Sequence, residues 1–298
     1  ASREAVLPLV LLGFALMLVG LAFKVSAVPF HTWTPAAYEG AVTPVSTFMA
    51  VVVKASVVAV FLRVLFVAFG DEVLSSEATG WPPVVACLAA LTMIVGNVAA
   101  IVQKSVKRML AYSSIAHAGF ILVGLVAAWR VGESAISAVL YYLLAYTASN
   151  VLAFGSLIAA GSRGKEAVTY EDLAGLGRRN PLVAAPFVLA VLSLMGLPPT
   201  AGFFAKYYVL MAAVDAGGGL VWLAIIGVLA SAAGAFYYLK VIVYLFMRQP
   251  EAGAPVAVPM RSWYLALALG LSAYFVLRMG LAPGAYLDLA SAAASQLL

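Results

Sequence analysis

Eight apolar runs, each long enough to cross a lipid bilayer, take up most of the sequence. A transmembrane helix needs about 20 mostly apolar residues, and the runs lack the strict alternation of a membrane β-barrel. The sequence therefore predicts an all-α, polytopic transmembrane bundle of about eight helices, which we number as the first to the eighth span. The predicted spans cover residues 5–28, 43–69, 83–103, 109–129, 134–160, 181–214, 220–247 and 262–281.

The composition agrees with a membrane bundle and excludes several functions. Hydrophobic residues make up 65% of the 298 positions and charged residues 10%, against about 25% charged residues in soluble domains. One cysteine, Cys87, cannot form a disulfide framework or hold an iron–sulfur cluster. Two histidines, His31 and His117, are too few for most haem or histidine-built metal sites. We expect no cofactor, no metal and no nucleic-acid partner, with the net positive charge facing a lipid leaflet.

Basic loop residues fall almost entirely on one side of the predicted bundle. By the positive-inside rule that side is cytoplasmic, and both chain ends lie on the opposite side. The basic side receives Lys104, Lys107, Arg108, Arg163, Lys165, Arg178, Arg179, Arg248 and Arg261. The other side receives Arg3 and Arg130 together with Asp71, Glu72, Glu77, Glu133 and Asp215.

Two spans are interrupted by proline. The first span continues through Pro29, and the sixth contains the pair Pro198-Pro199. Proline removes a backbone donor and clashes with the preceding turn, so both sites predict discontinuous helices, with an ordinary proline kink as the alternative. The two spans lie five apart and cross in opposite directions, as expected for an inverted five-helix repeat whose broken helices mark an ion path.

The predicted repeat divides a single membrane domain, 1–298, into three parts. Residues 5–69 hold the end of a first inverted repeat, residues 83–247 hold the second, and residues 262–298 hold the final span and a tail. A five-helix unit would leave the first repeat short of three helices, so we expect the sequence to be part of a longer bundle.

Four lysines lie inside predicted spans, namely Lys24, Lys54, Lys206 and Lys240. A lysine near the centre of a membrane helix costs roughly 2.5–3.5 kcal/mol on insertion scales, and a charge kept there is by default a candidate functional group. Removal from water disfavours the charged form of a lysine, which lets it exchange protons nearer neutral pH, whereas arginine stays charged. We therefore predict a proton relay through Lys24, Lys54 and Lys206. For Lys240 snorkelling is the favoured interpretation, with a place in the relay as the alternative.

Other polar residues of the spans have two interpretations each. His117, on the fourth span, suits a relay because histidine titrates near neutral pH, but it also suits a neutral hydrogen-bonded histidine. Asn97 and Asn150 fit hydrogen bonding between helices better than proton transfer. Glu39 follows the first break and fits a solvated loop acid better than a counter-ion. All 12 acidic residues fall outside the predicted span cores, so acidic partners of the lysines must come from other helices.

Three ordered stretches resemble a known family. They are Phe23–Pro35 with the following Tyr38-Glu39-Gly40, Lys107–Gly119, and Gly196–Lys206. They are similar to the antiporter-like subunits of respiratory complex I, and the Tyr-Glu-Gly triplet looks most like the N-type subunit. The resemblance covers essentially the whole chain. It implies a multi-pass inner-membrane subunit of a bacterial proton-pumping NADH:quinone oxidoreductase, without a redox centre or catalytic centre of its own, and with other complex I membrane subunits and lipid as partners.

The resemblance also implies roles for three lysines. Lys24 corresponds to the family's lysine on its discontinuous seventh helix, Lys54 to the connecting lysine on the eighth, and Lys206 to the lysine on the discontinuous twelfth. The family has fourteen helices, so this chain would supply the last eight, without the membrane glutamate that partners the seventh-helix lysine. An isolated copy is then not expected to pump. A cation/proton antiporter subunit and a structural membrane subunit without an ion path are the alternatives.

Overall fold

A computed structural model describes residues 2–70, 74–76, 80–161, 166–250 and 262–296. Every regular element within these ranges is helical, which confirms the all-α prediction. Several charges used to predict orientation lie outside the described residues. These are Asp71, Glu72, Glu77, Arg163, Lys165 and Arg261, and the side chain of Arg3.

Seven of the eight predicted spans are continuous helices in the described part of the chain. They are Ser2–Val25, Thr43–Ala68, Trp81–Ile101, Val106–Val131, Glu133–Ala160, Val221–Met247 and Trp263–Leu281. The sixth span consists of two 15-residue helices, Pro181–Met195 and Ala201–Asp215. The shorter helices are Trp33–Gly40, Leu176–Arg179 and Pro283–Ala294, with a 3-10 turn at Glu171–Leu173.

The fourth and fifth spans form the centre of the bundle. The third span packs along the fourth, while the sixth and eighth spans and the short helix Pro283–Ala294 pack against the fifth. Almost the whole of the fourth span is buried, whereas the first and eighth spans leave large apolar side chains such as Leu12 and Leu271 exposed. This distribution is typical of a membrane bundle, because the outer helices can face lipid or other helices at no hydrophobic cost.

Loop contacts divide the bundle into two ends. At one end, which we call the basic end, Val106 donates its backbone N–H to Val168 and Gly175 donates to Tyr244. At the opposite end, the rings of Trp81 and Trp129 pack edge to face, with centroids 5.7 Å apart. Successive spans therefore alternate in direction, and the described basic loop residues other than Arg130 share the basic end.

Both predicted breaks interrupt a helix fully. The first span ends at Val25 before Ser26, which has a φ of 65°, and Pro181–Met195 ends before Gly196, which has a φ of 88°. The bonds Val28–Pro29 and Pro198–Pro199 are cis. The alternative of a proline kink within a continuous helix is therefore wrong for both sites, because the backbone leaves the helix for several residues. The division into inverted repeats at 5–69, 83–247 and 262–298 stays a prediction.

Candidate functional site

Lys54 lies in a polar cluster inside the bundle. Lys54 is 2% exposed. Its ammonium donates to the backbone oxygen of Ser114 and, at 2.5 Å, to Oγ of the same serine. The same Oγ accepts a hydrogen bond from the hydroxyl of Tyr146 at 2.9 Å and lies 3.4 Å from the hydroxyl of Tyr38. A π-helical stretch, Met49–Val53, comes directly before Lys54, and such stretches often occur at functional sites. Within the described residues, no carboxylate forms an ion pair with Lys54.

His117 connects a second set of hydroxyls, one turn further along the fourth span. Its Nδ1 is 2.6 Å from the Tyr142 hydroxyl, and its Nε2 is 3.2 Å from the Tyr238 hydroxyl. The Tyr238 hydroxyl also forms a hydrogen bond with Ser113. Both ring nitrogens therefore have a partner that can donate or accept a proton, which is the arrangement that a relay through an imidazole requires.

A small cavity lies between His117 and the break in the sixth span. Its volume is about 10 Å³, close to the roughly 10–15 Å³ needed for one water molecule. Tyr146 and Ser149 line it on one side, and Ser193 and Gly202 on the other. The Oγ atoms of Ser149 and Ser193 are 2.8 Å apart. These two hydroxyls bond to each other across the gap, so the cavity itself is lined by apolar surface.

Lys206 lies just after the break in the sixth span. Its ammonium donates at 2.9 Å to the backbone oxygen of Met195, the last residue of the preceding helix. The break leaves such carbonyls without a helical partner, and a helix C-terminus favours a cation. Lys206 is 9% exposed and also lines a cavity of about 570 Å³ between Ala201–Asp215 and the seventh span. The two halves of the broken span thus hold the ammonium at the break.

The structure brings neither Lys24 nor Lys240 into this cluster. Lys24 is exposed on the last turn of the first span, which lies at the edge of the bundle with this face uncovered. Lys240 lies near the basic end, where it donates to the backbone oxygen of Gln103 at 3.3 Å and lies 4.3 Å from the ring centroid of Tyr170. A role for either lysine in proton transfer stays a prediction.

Sequence reasoning missed the tyrosines of the cluster. Tyr142 and Tyr146 are four residues apart on the fifth span, and Ser149 follows three residues later. Residues at this spacing share one helix face. A polar stripe along an otherwise apolar span was therefore the signal that could have identified them.

An ion pair holds the turn that follows the first break. The Lys107 side chain, 1% exposed, donates to Glu166 Oε2 at 2.9 Å and to the backbone oxygen of Ala41 at 2.7 Å. Glu166 also accepts hydrogen bonds from the backbone N–H and the hydroxyl of Thr43, at 3.0 and 2.9 Å. One carboxylate of the loop 161–180 therefore connects the start of the fourth span to the start of the second.

A second ion pair holds the short helix Trp33–Gly40. Arg108 Nη1 lies 3.1 Å from Glu39 Oε2, and both side chains are partly exposed at the basic end. Of the two interpretations of Glu39, the structure favours a counter-ion, here for Arg108, although the carboxylate stays partly exposed and lies in a helix and not in a loop.

The contacts of Glu166 predict a specific pH dependence. Burial alone would raise the pKa of Glu166, but hydrogen bonds from Thr43 and Lys107 outweigh it and hold that pKa below its ordinary value. A carboxylate whose pKa is lower in the folded state stabilises the fold fully above its unfolded pKa of about 4.3, and this stabilisation is lost as the pH falls through the folded pKa. The thermal stability lost in Glu166→Gln should therefore be constant above about pH 5 and shrink below about pH 4.

Thermal unfolding of the detergent-purified protein at a series of pH values measures this difference. Glu171→Gln is the matched control, since Glu171 is exposed in the same loop. It should change little at any pH. A stability difference for Glu166→Gln that stayed undiminished in strong acid would contradict the assignment of the carboxylate to this ion pair.

The fold and the buried cluster define a class, that of antiporter-like helical membrane bundles with broken helices and interior lysines. The chain belongs to the NADH:quinone oxidoreductase/Mrp antiporter transmembrane family, whose family model matches residues 4–233. The resemblance to the N-type subunits of bacterial complex I is thereby confirmed by sequence comparison as well, because curated N subunits are among its relatives.

Two of these relatives show the extent of the similarity. NADH-quinone oxidoreductase subunit N 1 of Sorangium cellulosum is 58% identical over 282 residues, which cover 95% of this chain and 55% of the relative. Subunit N of Rhodococcus opacus is 46% identical over 287 residues, which cover 96% of this chain and 51% of the relative. The chain spans about half the length of the curated relatives it matches.

Solved structures agree with this placement. A chain of respiratory complex I from Thermus thermophilus with bound aureothin is 38% identical, with a TM-score of 0.77 over 92% of this chain and 57% of that one. A chain of the Mrp complex from Dietzia sp. is 24% identical, with a TM-score of 0.81 over 95% of this chain and 58% of that one. The second similarity shows that the fold is shared with Mrp complexes.

Proposed function

We propose that this chain is part of an N-type antiporter-like subunit of a bacterial NADH:quinone oxidoreductase and moves protons without redox chemistry of its own. One observation carries the proposal. Two buried ammonium groups, on Lys54 and Lys206, lie at either end of a run of hydroxyls, an imidazole and a cavity sized for one water. Groups of this kind can each hold or pass a proton.

The proposed path starts at Lys54 and ends at Lys206. Ser114 accepts from Lys54 and from Tyr146, and the Tyr146 ring lies beside the ring of His117 with centroids 5.2 Å apart. The small cavity then connects His117 to the broken sixth span. Because like charges repel strongly in a low-dielectric interior, a proton held on one lysine disfavours a proton on the other. A proton that arrives on one of the two lysines therefore favours release of the proton held by the other.

The remaining parts of the proposal concern the surroundings. We place the basic end in the cytoplasm and both chain ends on the opposite side of the inner membrane, following the charge of the loops. Other membrane subunits of the complex, including neighbouring antiporter-like subunits, and lipid are the partners. The exposed face of Lys24 takes its acidic partner from helices outside this chain, because a lysine facing hydrocarbon would be costly.

Proton uptake by inverted membrane vesicles that contain the assembled complex tests the function. His117→Phe keeps an aromatic ring but removes both nitrogens between Tyr142 and Tyr238. We expect the number of protons taken up per NADH oxidised to fall by the share that passes through this chain, because loss of a positioned proton carrier slows proton transfer by about 10²–10⁴-fold. An unchanged ratio in a fully assembled complex would contradict a relay through His117.

The same vesicles distinguish protons from sodium. The carriers of the proposed path include the ammonium groups of Lys54 and Lys206, which hold protons and cannot coordinate a cation. Uptake should therefore be unchanged when sodium is replaced by potassium. Sodium-dependent uptake would favour the cation/proton antiporter alternative. Uptake that stays unchanged when each polar residue of the cluster is replaced would favour a structural subunit.

A further inference from the structure

Tyr38 reaches the Lys54 cluster from a helix that cannot hold its place alone. The helix Trp33–Gly40 has eight residues, and isolated helices shorter than about 12–15 residues are marginal in water. Tyr38 is 1% exposed, its hydroxyl lies 3.4 Å from Ser114 Oγ, and its backbone oxygen accepts from Ser46. The position of the Tyr38 hydroxyl therefore depends on contacts that fix the ends of this helix.

Two consecutive residues at the start of the fourth span provide such contacts. Arg108 pairs with Glu39 on the helix itself, and Lys107 binds the carbonyl of Ala41 in the turn that follows. The fourth span also carries Ser114, two helical turns further on. The fourth span thus binds the end of the short helix through Lys107 and Arg108 and also carries Ser114, beside the Tyr38 hydroxyl. These contacts therefore set the distance between Tyr38 and Ser114.

Glu166 completes the grip from a third element. Its carboxylate binds the Lys107 ammonium and both the N–H and the hydroxyl of Thr43, so it connects the loop 161–180 to the turn. The Lys107 side chain is 1% exposed and that of Glu166 is 40% exposed. A buried ammonium left without its carboxylate is strongly unfavourable, so loss of Glu166 should displace Lys107 and release the turn.

We propose that Lys107 and Glu166 are positioning residues for proton movement: their ion pair clamps the turn around Ala41–Thr43 to the fourth span and keeps the Tyr38 hydroxyl beside Ser114. The effect on proton movement rests on the proposed function, whereas the clamp itself does not. Neither residue touches Lys54 or exchanges a proton with it. They act through the short helix, which places one of the two tyrosines that surround the Lys54 acceptor.

The test uses the assembled complex in membranes with Glu166→Gln, and with Glu171→Gln as the matched control in the same loop. Hydrogen–deuterium exchange of residues 33–48 reports the clamp, and protons taken up per NADH oxidised report the relay. For Glu166→Gln we expect roughly tenfold faster exchange in 33–48 and a roughly twofold lower proton ratio, because a charge-assisted contact that closes a local segment is lost. Glu171→Gln should match the unmodified complex in both.

Glu166→Asp distinguishes positioning from general stability. It keeps the charge, so it should restore most of the protection in 33–48 and most of the proton ratio. If the Glu166→Gln complex fails to assemble, Glu166→Asp tests the proposal in its place. The shorter aspartate side chain should then partly loosen residues 33–48 and lower the proton ratio to a matching extent. Unchanged exchange in 33–48, or faster exchange with an unchanged proton ratio, would overturn the proposal.

Failure of the clamp and failure of the proposed function give different results. The reason is that hydrogen–deuterium exchange of residues 33–48 does not depend on whether the complex pumps protons. A loosened turn in Glu166→Gln, together with a Lys206→Met complex that pumps normally, would refute the proton path and retain the clamp. A rigid turn in Glu166→Gln, together with a Lys206→Met complex that does not pump, would refute the clamp alone.

Discussion

Replacing Lys206 with methionine should nearly abolish the proton uptake that passes through this chain, while leaving the bundle folded. Methionine keeps a flexible apolar stem in the same space and removes the ammonium. Lys206 is the only lysine, arginine, histidine or acidic residue in 181–214, so the sixth span itself offers no replacement. We expect the number of protons taken up per NADH oxidised to fall by this chain's share, because removal of an essential proton carrier slows proton transfer by about 10²–10⁴-fold.

The control for this variant is a lysine with no place in the path. Lys104 is exposed near the basic end, so Lys104→Met makes the same chemical change and should leave the ratio unaltered. The yield of assembled complex should be close to that of the unmodified complex for both variants, whereas the unfolding temperature should fall for Lys206→Met alone, because it loses the hydrogen bond to Met195. A Lys206→Met complex that assembles and pumps at the normal ratio would exclude this lysine from the path.

Gly202→Ala should have the largest effect on folding. A methyl group at Gly202 would overlap the backbone oxygen of Ser193, in the other half of the broken sixth span. Neither helix can move away easily, because the backbone N–H of Gly202 also donates to Ser193 Oγ at 3.1 Å and Lys206 binds Met195 across the same break. Overpacking of a fixed backbone contact costs about 1–3 kcal/mol or more, which is a large share of the stability of a domain.

The yield of assembled complex and its thermal unfolding temperature measure this effect. Gly270 is the matched control, because a methyl group there meets nothing within 4 Å and the residue lies in the eighth span. Alanine is favoured over glycine in a helix by roughly 0.8–1.0 kcal/mol, so Gly270→Ala should be neutral or slightly stabilising. Equal stability of the two variants would show that the halves of the sixth span are not in tight contact at Gly202.

The sequence by itself determined the elements whose causes are local. The length of an apolar run decides whether a helix can span a bilayer, and the described helices follow the eight predicted spans. Proline chemistry placed the breaks at Pro29 and at Pro198-Pro199, because a missing donor acts within one turn of its own helix. The cost of placing a charge in an apolar span is also a property of the local sequence, and it identified Lys54 and Lys206.

Only the tertiary structure decided which faces of the spans meet. A span that is apolar all round carries little periodicity, so the sequence does not show that Ser114 faces Lys54 and Tyr38 while Lys24 faces outward. The pairing of Lys107 with Glu166 joins residues 59 positions apart, and no local rule predicts it. Packing at the centre of the bundle sets these contacts, and they determine which of the predicted lysines share one polar cluster.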